Sequence, residues 1–179
     1  MVIIIFEAHA TSFDNEKHLF SGHFDVALSP LGEQQAKELG GRYKDQEFDV
    51  IFVSDLQRSY KTAEIAFGNK IPIIKDKRLR ECDYGDLTQY PSDEVDPVKV
   101  KHISIPFPNG ESYEDCLKRM KSFLDYLHLY HGRSISVLII GHRATQYGLE
   151  HWINGKSLKE LVTVPFKWQP GWVYQLANI

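Results

Sequence analysis

Uninterrupted apolar runs alternate along the chain with segments whose apolar residues recur at helical spacing. The longest runs cover residues 2–6, 50–53 and 136–140 and are rich in valine and isoleucine. Short runs of β-branched residues are typical of strands that helices cover on both faces. Shorter strands are predicted at 71–74 and 172–176.

Capping residues and helical periodicity predict the intervening helices. Ser29 can cap a helix that has Pro30 at its first position and ends near Gly40. Asp55 can cap a second helix that extends to about Phe67. The other predicted segments are a helix over about 112–130, a helix from near Thr145, and a proline-containing surface excursion over 85–110.

The order of these elements predicts the architecture. Alternating strands and helices are typical of a three-layer α/β/α sandwich with a central, mainly parallel sheet. A chain of 179 residues with 42% hydrophobic residues suits one core, so we expect a single domain over 1–179. This composition is not that of a disordered protein.

Charge and cysteine content restrict the class of partner. The formal net charge is -3, and no run approaches the roughly 20 apolar residues that cross a bilayer. Cys82 and Cys116 are too few and too isolated for a disulfide framework or a thiolate metal site, which favours a reducing compartment. We therefore expect a cytoplasmic protein without nucleic-acid or membrane partners. The oligomeric state is left open.

Polar side chains follow several of the predicted strands. His9, Ser54 and His142 come directly after strands, whose carboxyl ends meet at one edge of a parallel sheet. Arg58 lies one turn into the helix after the second strand, and Glu81 lies in a charged segment. One such histidine could simply satisfy local hydrogen bonds. Two imidazoles, a guanidinium and a carboxylate together can hold a phosphoryl group, attack it and protonate its leaving group.

Six sequence motifs support the interpretation of these residues as a site for phosphoryl chemistry. They are "AHATSFDN" at 8–15, "GHFDVALSPLGEQQA" at 22–36, "SDLQRSYKTA" at 54–63, "LRECDYG" at 79–85, "PNGES" at 108–112 and "LIIGHRAT" at 138–145. In order and spacing the chain resembles the histidine phosphatase superfamily, with its phosphoglycerate-mutase-like fold, over nearly its whole length.

The resemblance implies a role for each motif residue. His9 would attack phosphorus to give a phosphohistidine that water hydrolyses, and Glu81 would protonate the leaving oxygen. Arg58 and His142 would bind the equatorial oxygens, where charge concentrates in the transition state. Further phosphate-binding candidates are Ser12, Asn15, His23 and Arg143. No metal and no other cofactor is implied.

The first motif departs from the family pattern. Ala8 stands where relatives carry an arginine, and His23 replaces another basic residue. Losing a donor such as the arginine at position 8 typically costs about 3 kcal/mol of transition-state stabilisation. Glu7 falls on the same side of the strand as His9. We predict that Glu7 and Arg143 interact, or at least share the pocket, and that Arg143 compensates for the lost arginine by pairing with Glu7 or by supplying the missing phosphate contact. The alternative is that Ala8 is an inactivating substitution and that Arg143 is a surface residue.

These features favour a phosphomonoesterase that hydrolyses a small phosphorylated metabolite. The chain is short for a phosphoglycerate mutase, which favours hydrolysis over mutase activity. The alternative function is a catalytically weak or inactive phosphate-binding protein, and a metal-dependent hydrolase ranks last. Asp14, Glu16 and His18 could be drawn as a metal site, but loops that bind hard metals need more regularly placed oxygens, so no metal is expected there. Lys99, Lys101 and His102 lie in the excursion, where they contact a second anionic group or form a solvated charge run. Trp152, Trp168 and Trp172 are expected to pack the core and the C-terminal cover.

Overall fold

A five-stranded sheet forms the centre of the protein in a computed structural model that describes residues 1–130 and 134–176. The strands lie in the order β3-β2-β4-β1-β5, and only β5 runs antiparallel to its neighbour β1. Their bounds are Val2–Ala8 (β1), Val50–Val53 (β2), Ile73–Lys75 (β3), Ile135–Gly141 (β4) and Trp172–Leu176 (β5). The mainly parallel sheet is as predicted.

Helices connect the strands. They are α1 (Phe13–Glu16), α2 (Pro30–Arg42), α3 (Gln57–Phe67), α4 (Ser92–Val95), α5 (Tyr113–Tyr130), α6 (Arg143–Trp152) and α7 (Leu158–Thr163), with short 3₁₀ turns at Lys77–Leu79, Gly85–Leu87 and Lys99–His102. No helix among the described residues has both the length and the apolar character needed to cross a membrane.

Alternation along the strands divides the core into two layers. On β1, Ile4 packs in a cluster with Phe123 of α5, whereas Ile5 packs in another cluster with Leu39 of α2 and Phe67 of α3. Because successive strand residues point to opposite faces, each face buries its own set of helices. The predicted three-layer α/β/α sandwich is therefore confirmed.

Several element boundaries differ from the predictions. The residue that caps α3 is Leu56, without a side-chain hydrogen bond, because Asp55 instead makes a bidentate pair with Arg80 at 2.6 and 2.7 Å. Helix α6 begins at Arg143 rather than near Thr145. Helix α7 was not predicted, although Ser157 caps it.

Candidate active site

The two histidines emerge side by side from neighbouring strands. Ala8 at the end of β1 pairs in register with Gly141 at the end of β4, and the backbone N–H of His9 donates to the Gly141 carbonyl at 3.0 Å. The next residues are therefore His9 and His142, whose ring centroids lie 5.0 Å apart. One bound phosphoryl group could contact both rings.

The hydrogen bond of His9 fixes its tautomer. Nδ1 lies 2.7 Å from the carbonyl oxygen of Ala10, and since a carbonyl can only accept, Nδ1 carries the proton. The backbone N–H of Ala10 donates in turn to the hydroxyl of Thr62. Burial, with a smaller contribution from the Arg58 cation, lowers the pKa of His9 to about 3. At neutral pH the ring is uncharged and Nε2 has a free lone pair.

His142 is buried at the end of β4 and held by a serine. Its Nε2 lies 2.6 Å from the hydroxyl oxygen of Ser54, the residue that follows β2. Burial lowers the pKa of His142 well below that of an ordinary histidine, and the Arg58 cation adds to this. Nδ1 is buried and has no hydrogen-bond partner among the described residues. An unsatisfied buried nitrogen is costly, so a ligand oxygen that reached it would stabilise the site.

Arg58 is the buried cation of the site. Its side chain is 1% exposed, Nη1 donates to the carbonyl of Phe24 and Nη2 to that of Gly22. Burial lowers the pKa of this guanidinium, and nearby acids led by Glu81 oppose the shift. Arg58 lines a cavity together with His9. These two carbonyl bonds fix the guanidinium while leaving other N–H donors for an anion.

Glu81 lies at the N-terminus of helix α6. Its carboxylate accepts three backbone N–H bonds, from Cys82 at 2.8 Å, Arg143 at 3.0 Å and Ala144 at 3.1 Å. The carbonyl of Glu81 accepts from Arg119 at 2.9 Å, so both ends of the residue are fixed.

Of the other phosphate-binding candidates, Asn15 lies in the cavity wall and Ser12 and His23 do not. Ser12 is fully buried and caps α1: its hydroxyl accepts from the Asn15 N–H and donates to the Asn15 side-chain oxygen. The Nε2 of His23 lies 2.9 Å from the carbonyl oxygen of Glu81, and its ring is also close to Asp83 and Glu111. His23 therefore contacts the backbone of Glu81 and does not line either cavity.

The predicted pairing of Glu7 with Arg143 is wrong. Glu7 is 1% exposed and accepts from the hydroxyl of Tyr43 at 2.6 Å and from Nη2 of Arg42 at 3.1 Å. Both partners lie at the end of α2. This helix covers the face of the sheet to which Ile5 and Glu7 of β1 point. Burial raises the pKa of Glu7, and the Tyr43 and Arg42 contacts oppose that shift.

The side chain of Arg143 is hydrogen-bonded to groups other than Glu7. Its nitrogens donate to Gln146 at 2.7 Å, to the Tyr147 hydroxyl at 3.3 Å and to the Val164 carbonyl at 3.1 Å. The guanidinium also lies about equally close to the rings of Tyr147 and Phe166. Arg143 does line the same cavity as Glu7, but it is neither its partner nor a free surface residue.

Two adjoining cavities meet at His9. The larger, of about 670 Å³, extends from the two histidines past Ala8; its lining also includes Glu7, Gln35, Glu38, Arg42, Phe166 and Trp168. The smaller, of about 520 Å³, lies on the side of the excursion; its lining includes Arg58, Tyr84, Asp96, Lys99, Tyr113 and Tyr147. His9, Asn15, Glu81 and Arg143 line both.

Among the described residues, one group of side chains has the proximity needed for a metal ion, and it does not include Asp14, Glu16 or His18. Cys82, Glu111 and Cys116 place their ligand atoms within 4.8 Å of one another, so the two cysteines are close in space although isolated in sequence. Arg119 donates to Glu111 at 3.0 Å and to the Cys116 sulfur at 3.3 Å. This cation already satisfies the carboxylate, and it would repel a metal ion.

Comparison with known proteins identifies the fold and the ancestry. The sequence model of the Histidine phosphatase superfamily (branch 1) matches residues 4–173. The chain belongs to this superfamily. Phosphoserine phosphatase 1 of Hydrogenobacter thermophilus is 33% identical over 152 residues, 79% of this chain and 71% of that protein. A 2,3-bisphosphoglycerate-dependent phosphoglycerate mutase of Cytophaga hutchinsonii is 32% identical over 157 residues, 79% of this chain and 72% of the mutase.

A solved structure gives the same result for the fold. YhfR of Bacillus stearothermophilus matches with a TM-score of 0.84 at 25% sequence identity, over 99% of this chain and 96% of that chain. The histidine phosphatase chain described here therefore has the predicted phosphoglycerate-mutase-like fold. Its relatives are phosphatases and phosphoglycerate mutases.

Sequence reasoning missed three residues that line the larger cavity, Arg42, Phe166 and Trp168. Trp168 was expected to pack the core and the C-terminal cover, but it is 56% exposed and lines the cavity with Phe166. Arg42 was not singled out, because it looks like any exposed residue in the last turn of a helix. The one signal in the sequence was that Arg42 is a basic residue directly before Tyr43, where the apolar stripe of α2 ends.

Proposed function

We propose that this histidine phosphatase is a phosphomonoesterase that hydrolyses a small phosphorylated metabolite through a phosphohistidine on His9. The observation that carries the proposal is the hydrogen bond from His9 Nδ1 to the Ala10 carbonyl. It leaves Nε2 unprotonated in a ring whose pKa is lowered to about 3. An uncharged imidazole with a fixed tautomer is a competent nucleophile at neutral pH.

In the first step Nε2 of His9 forms a bond to phosphorus while the bond from phosphorus to the leaving oxygen breaks. Glu81 gives a proton to that oxygen. In the second step Glu81 takes a proton from water, whose oxygen attacks phosphorus and releases phosphate and free His9. Arg58 and His142 stabilise the equatorial oxygens in both steps.

The acceptor in the second step is water. Phosphoserine phosphatase 1 and the mutase named above are similarly related to this chain, so relatedness does not choose between hydrolysis and transfer. The larger cavity supports hydrolysis, because it extends past Ala8 and leaves space beside His9 in which a water molecule would fit. The leaving group lies in the cavity on the excursion side, whose lining includes Lys99.

Phosphate release from a panel of phosphomonoesters tests the proposal. The panel includes O-phosphoserine and 3-phosphoglycerate, with phosphoglycerate isomerisation followed in parallel. His9→Ala should abolish release, whereas His151→Ala, which removes a histidine whose Nδ1 lies 2.8 Å from the Lys156 carbonyl oxygen, should not. Equal release by the wild type and His9→Ala would reject the proposal, and isomerisation without release would make the protein a mutase.

The second candidate is a phosphate-binding protein with little turnover. It is favoured by Ala8, which places no cation at the end of β1, and by Arg143, whose three nitrogens are bound to protein groups. This candidate predicts that phosphate binds in calorimetry while no ester in the panel is hydrolysed.

A further inference from the structure

The larger cavity contains a cation, Arg42, that has no role in the mechanism above. Arg42 ends helix α2 and lines the cavity together with Ala8 and His9. Its side chain is 35% exposed, and its Nη2 lies 3.1 Å from the Glu7 carboxylate. The larger cavity therefore contains a guanidinium on the side of His9 where β1 itself supplies none.

Arg42 has more hydrogen-bonding capacity left than Arg143, the other arginine of this cavity. Arg143 donates from all three nitrogens to protein acceptors. Arg42 donates from Nη2 to Glu7, and its guanidinium also interacts with the Tyr43 side chain. Most of its N–H donors are thus available to a ligand, and a guanidinium is well suited to a phosphate.

The position of Arg42 is fixed on two sides. Glu7 is itself held by the Tyr43 hydroxyl at 2.6 Å, so the carboxylate cannot turn away. On its other side the Arg42 guanidinium lies 5.7 Å from the centre of the Trp168 ring. A cation held this way loses little conformational freedom when an anion binds.

The ion pair also explains how a buried acid is tolerated in a site for anions. Glu7 lies two residues before His9, so an unpaired Glu7 carboxylate would repel a phosphoryl group bound at His9. Paired with Arg42 it has no net charge, and a phosphoryl group can bind the remaining donors of Arg42 while Nη2 stays on Glu7.

We propose that Arg42 is a substrate-binding residue that contacts the phosphoryl group from the Ala8 side of the larger cavity. Glu7 and Tyr43 are positioning residues that hold it there. The proposal rests on the proposed function for its kinetic consequences, but binding of inorganic phosphate tests it independently.

The test compares Arg42→Ala, Arg42→Lys and Ala8→Arg/Arg42→Ala with the wild type, by calorimetry with inorganic phosphate and by phosphate release. Arg42→Ala should weaken phosphate binding and lower kcat/KM about tenfold or more, and Arg42→Lys should retain part of both. Ala8→Arg should restore what Arg42→Ala loses. The matched control is Arg78→Ala, which breaks a half-buried ion pair with Asp76 away from the cavity.

Arg42→Ala strands the buried Glu7 carboxylate, so the double variant Glu7→Gln/Arg42→Ala separates contact from charge neutralisation. It should bind phosphate more tightly than Arg42→Ala, because the repulsion by Glu7 is gone, but more weakly than the wild type, because the Arg42 contact is lost. Recovery of wild-type affinity would mean that Arg42 only neutralises Glu7 and would overturn the proposal. Affinity of Arg42→Ala equal to that of Arg78→Ala would also overturn it. If the wild type hydrolyses nothing, the proposed function fails while these phosphate affinities still decide the role of Arg42.

Discussion

The hydroxyl of Tyr43 donates a 2.6 Å hydrogen bond to the carboxylate of Glu7, joining the end of helix α2 to strand β1 two residues before His9. Both groups are buried, and the Arg42 guanidinium lies beside them. A buried carboxylate depends on such partners, because taking a charge out of water is costly unless it is paired and hydrogen-bonded. This contact therefore affects both the fold and the cavity next to His9.

Removing the hydroxyl should destabilise the protein. Tyr43→Phe leaves a buried carboxylate without its shortest hydrogen bond, which should lower the free energy of unfolding by about 1–3 kcal/mol in urea titrations. The control is Tyr60→Phe, because the Tyr60 ring lies against Lys61 and Lys75 and its hydroxyl has no hydrogen bond within the described residues. Equal stability of the two variants would show that the Glu7 contact contributes nothing.

The raised pKa of Glu7 predicts the sign of a pH dependence. A carboxyl group whose pKa is higher in the folded than in the unfolded state stabilises the fold fully below the unfolded value, taken as 4.5, and loses that contribution as the pH rises through the folded value. Relative to Glu7→Gln, which does not titrate, the wild type should lose free energy of unfolding as the pH rises from below 4.5. Urea titrations at several pH values give this difference, and a gain with rising pH would contradict the assignment.

The lowered pKa values of the two histidines predict silent titrations. The Cε1–H resonances of His9 and His142 should not shift as the pH passes 6.5, whereas in the urea-unfolded protein both should. Groups with depressed pKa values stabilise the fold above the unfolded value, so stability should fall as the pH drops from 6.5 towards 3. An NMR titration of the folded protein with a midpoint near 6.5 for His9 would contradict a preformed neutral nucleophile.

Two glycines of helix α2 form a matched pair for testing the support of the His9 loop. A Cβ at Gly32 would lie 1.9 Å from the Thr11 carbonyl oxygen, whereas a Cβ at Gly41 would have no described atom within 4 Å. Gly32→Ala must move α2 or the Thr11 segment, so it should cost about 1–3 kcal/mol and weaken phosphate binding. Gly41→Ala should stabilise the helix by up to about 1 kcal/mol. Equal effects in urea titrations would reject this packing.

The fold was largely predictable because its signals are local. The apolar runs at β1, β2 and β4, and the Ser29 cap of α2, are encoded within a few neighbouring residues. The adjacency of His9 and His142 follows from two strands ending at one edge of a parallel sheet. Asp55 shows the limit of this reasoning, because its suitability as a cap was outweighed by a partner 25 residues away, Arg80.

The partners of Glu7 were not predictable, because they are distant from it in the sequence. Glu7 binds Arg42 and Tyr43, 35 and 36 residues away, and no pattern near Glu7 distinguishes these partners from Arg143. The connection that contains Phe166 and Trp168 has no periodicity, so its place over the cavity depends on the position of α7 and β5. Side-chain pairing across elements is decided by three-dimensional packing rather than by local sequence.

The most direct test of the mechanism is the mass of the protein during turnover. An ester that the wild type hydrolyses is mixed with stoichiometric enzyme, quenched in alkaline denaturant, which preserves phosphohistidine, and analysed by intact and peptide mass spectrometry. The account predicts a transient gain of one phosphoryl group, located on His9 and absent from His9→Ala. Turnover at the wild-type rate by His9→Ala, or a phosphoryl group located on another residue, would contradict it.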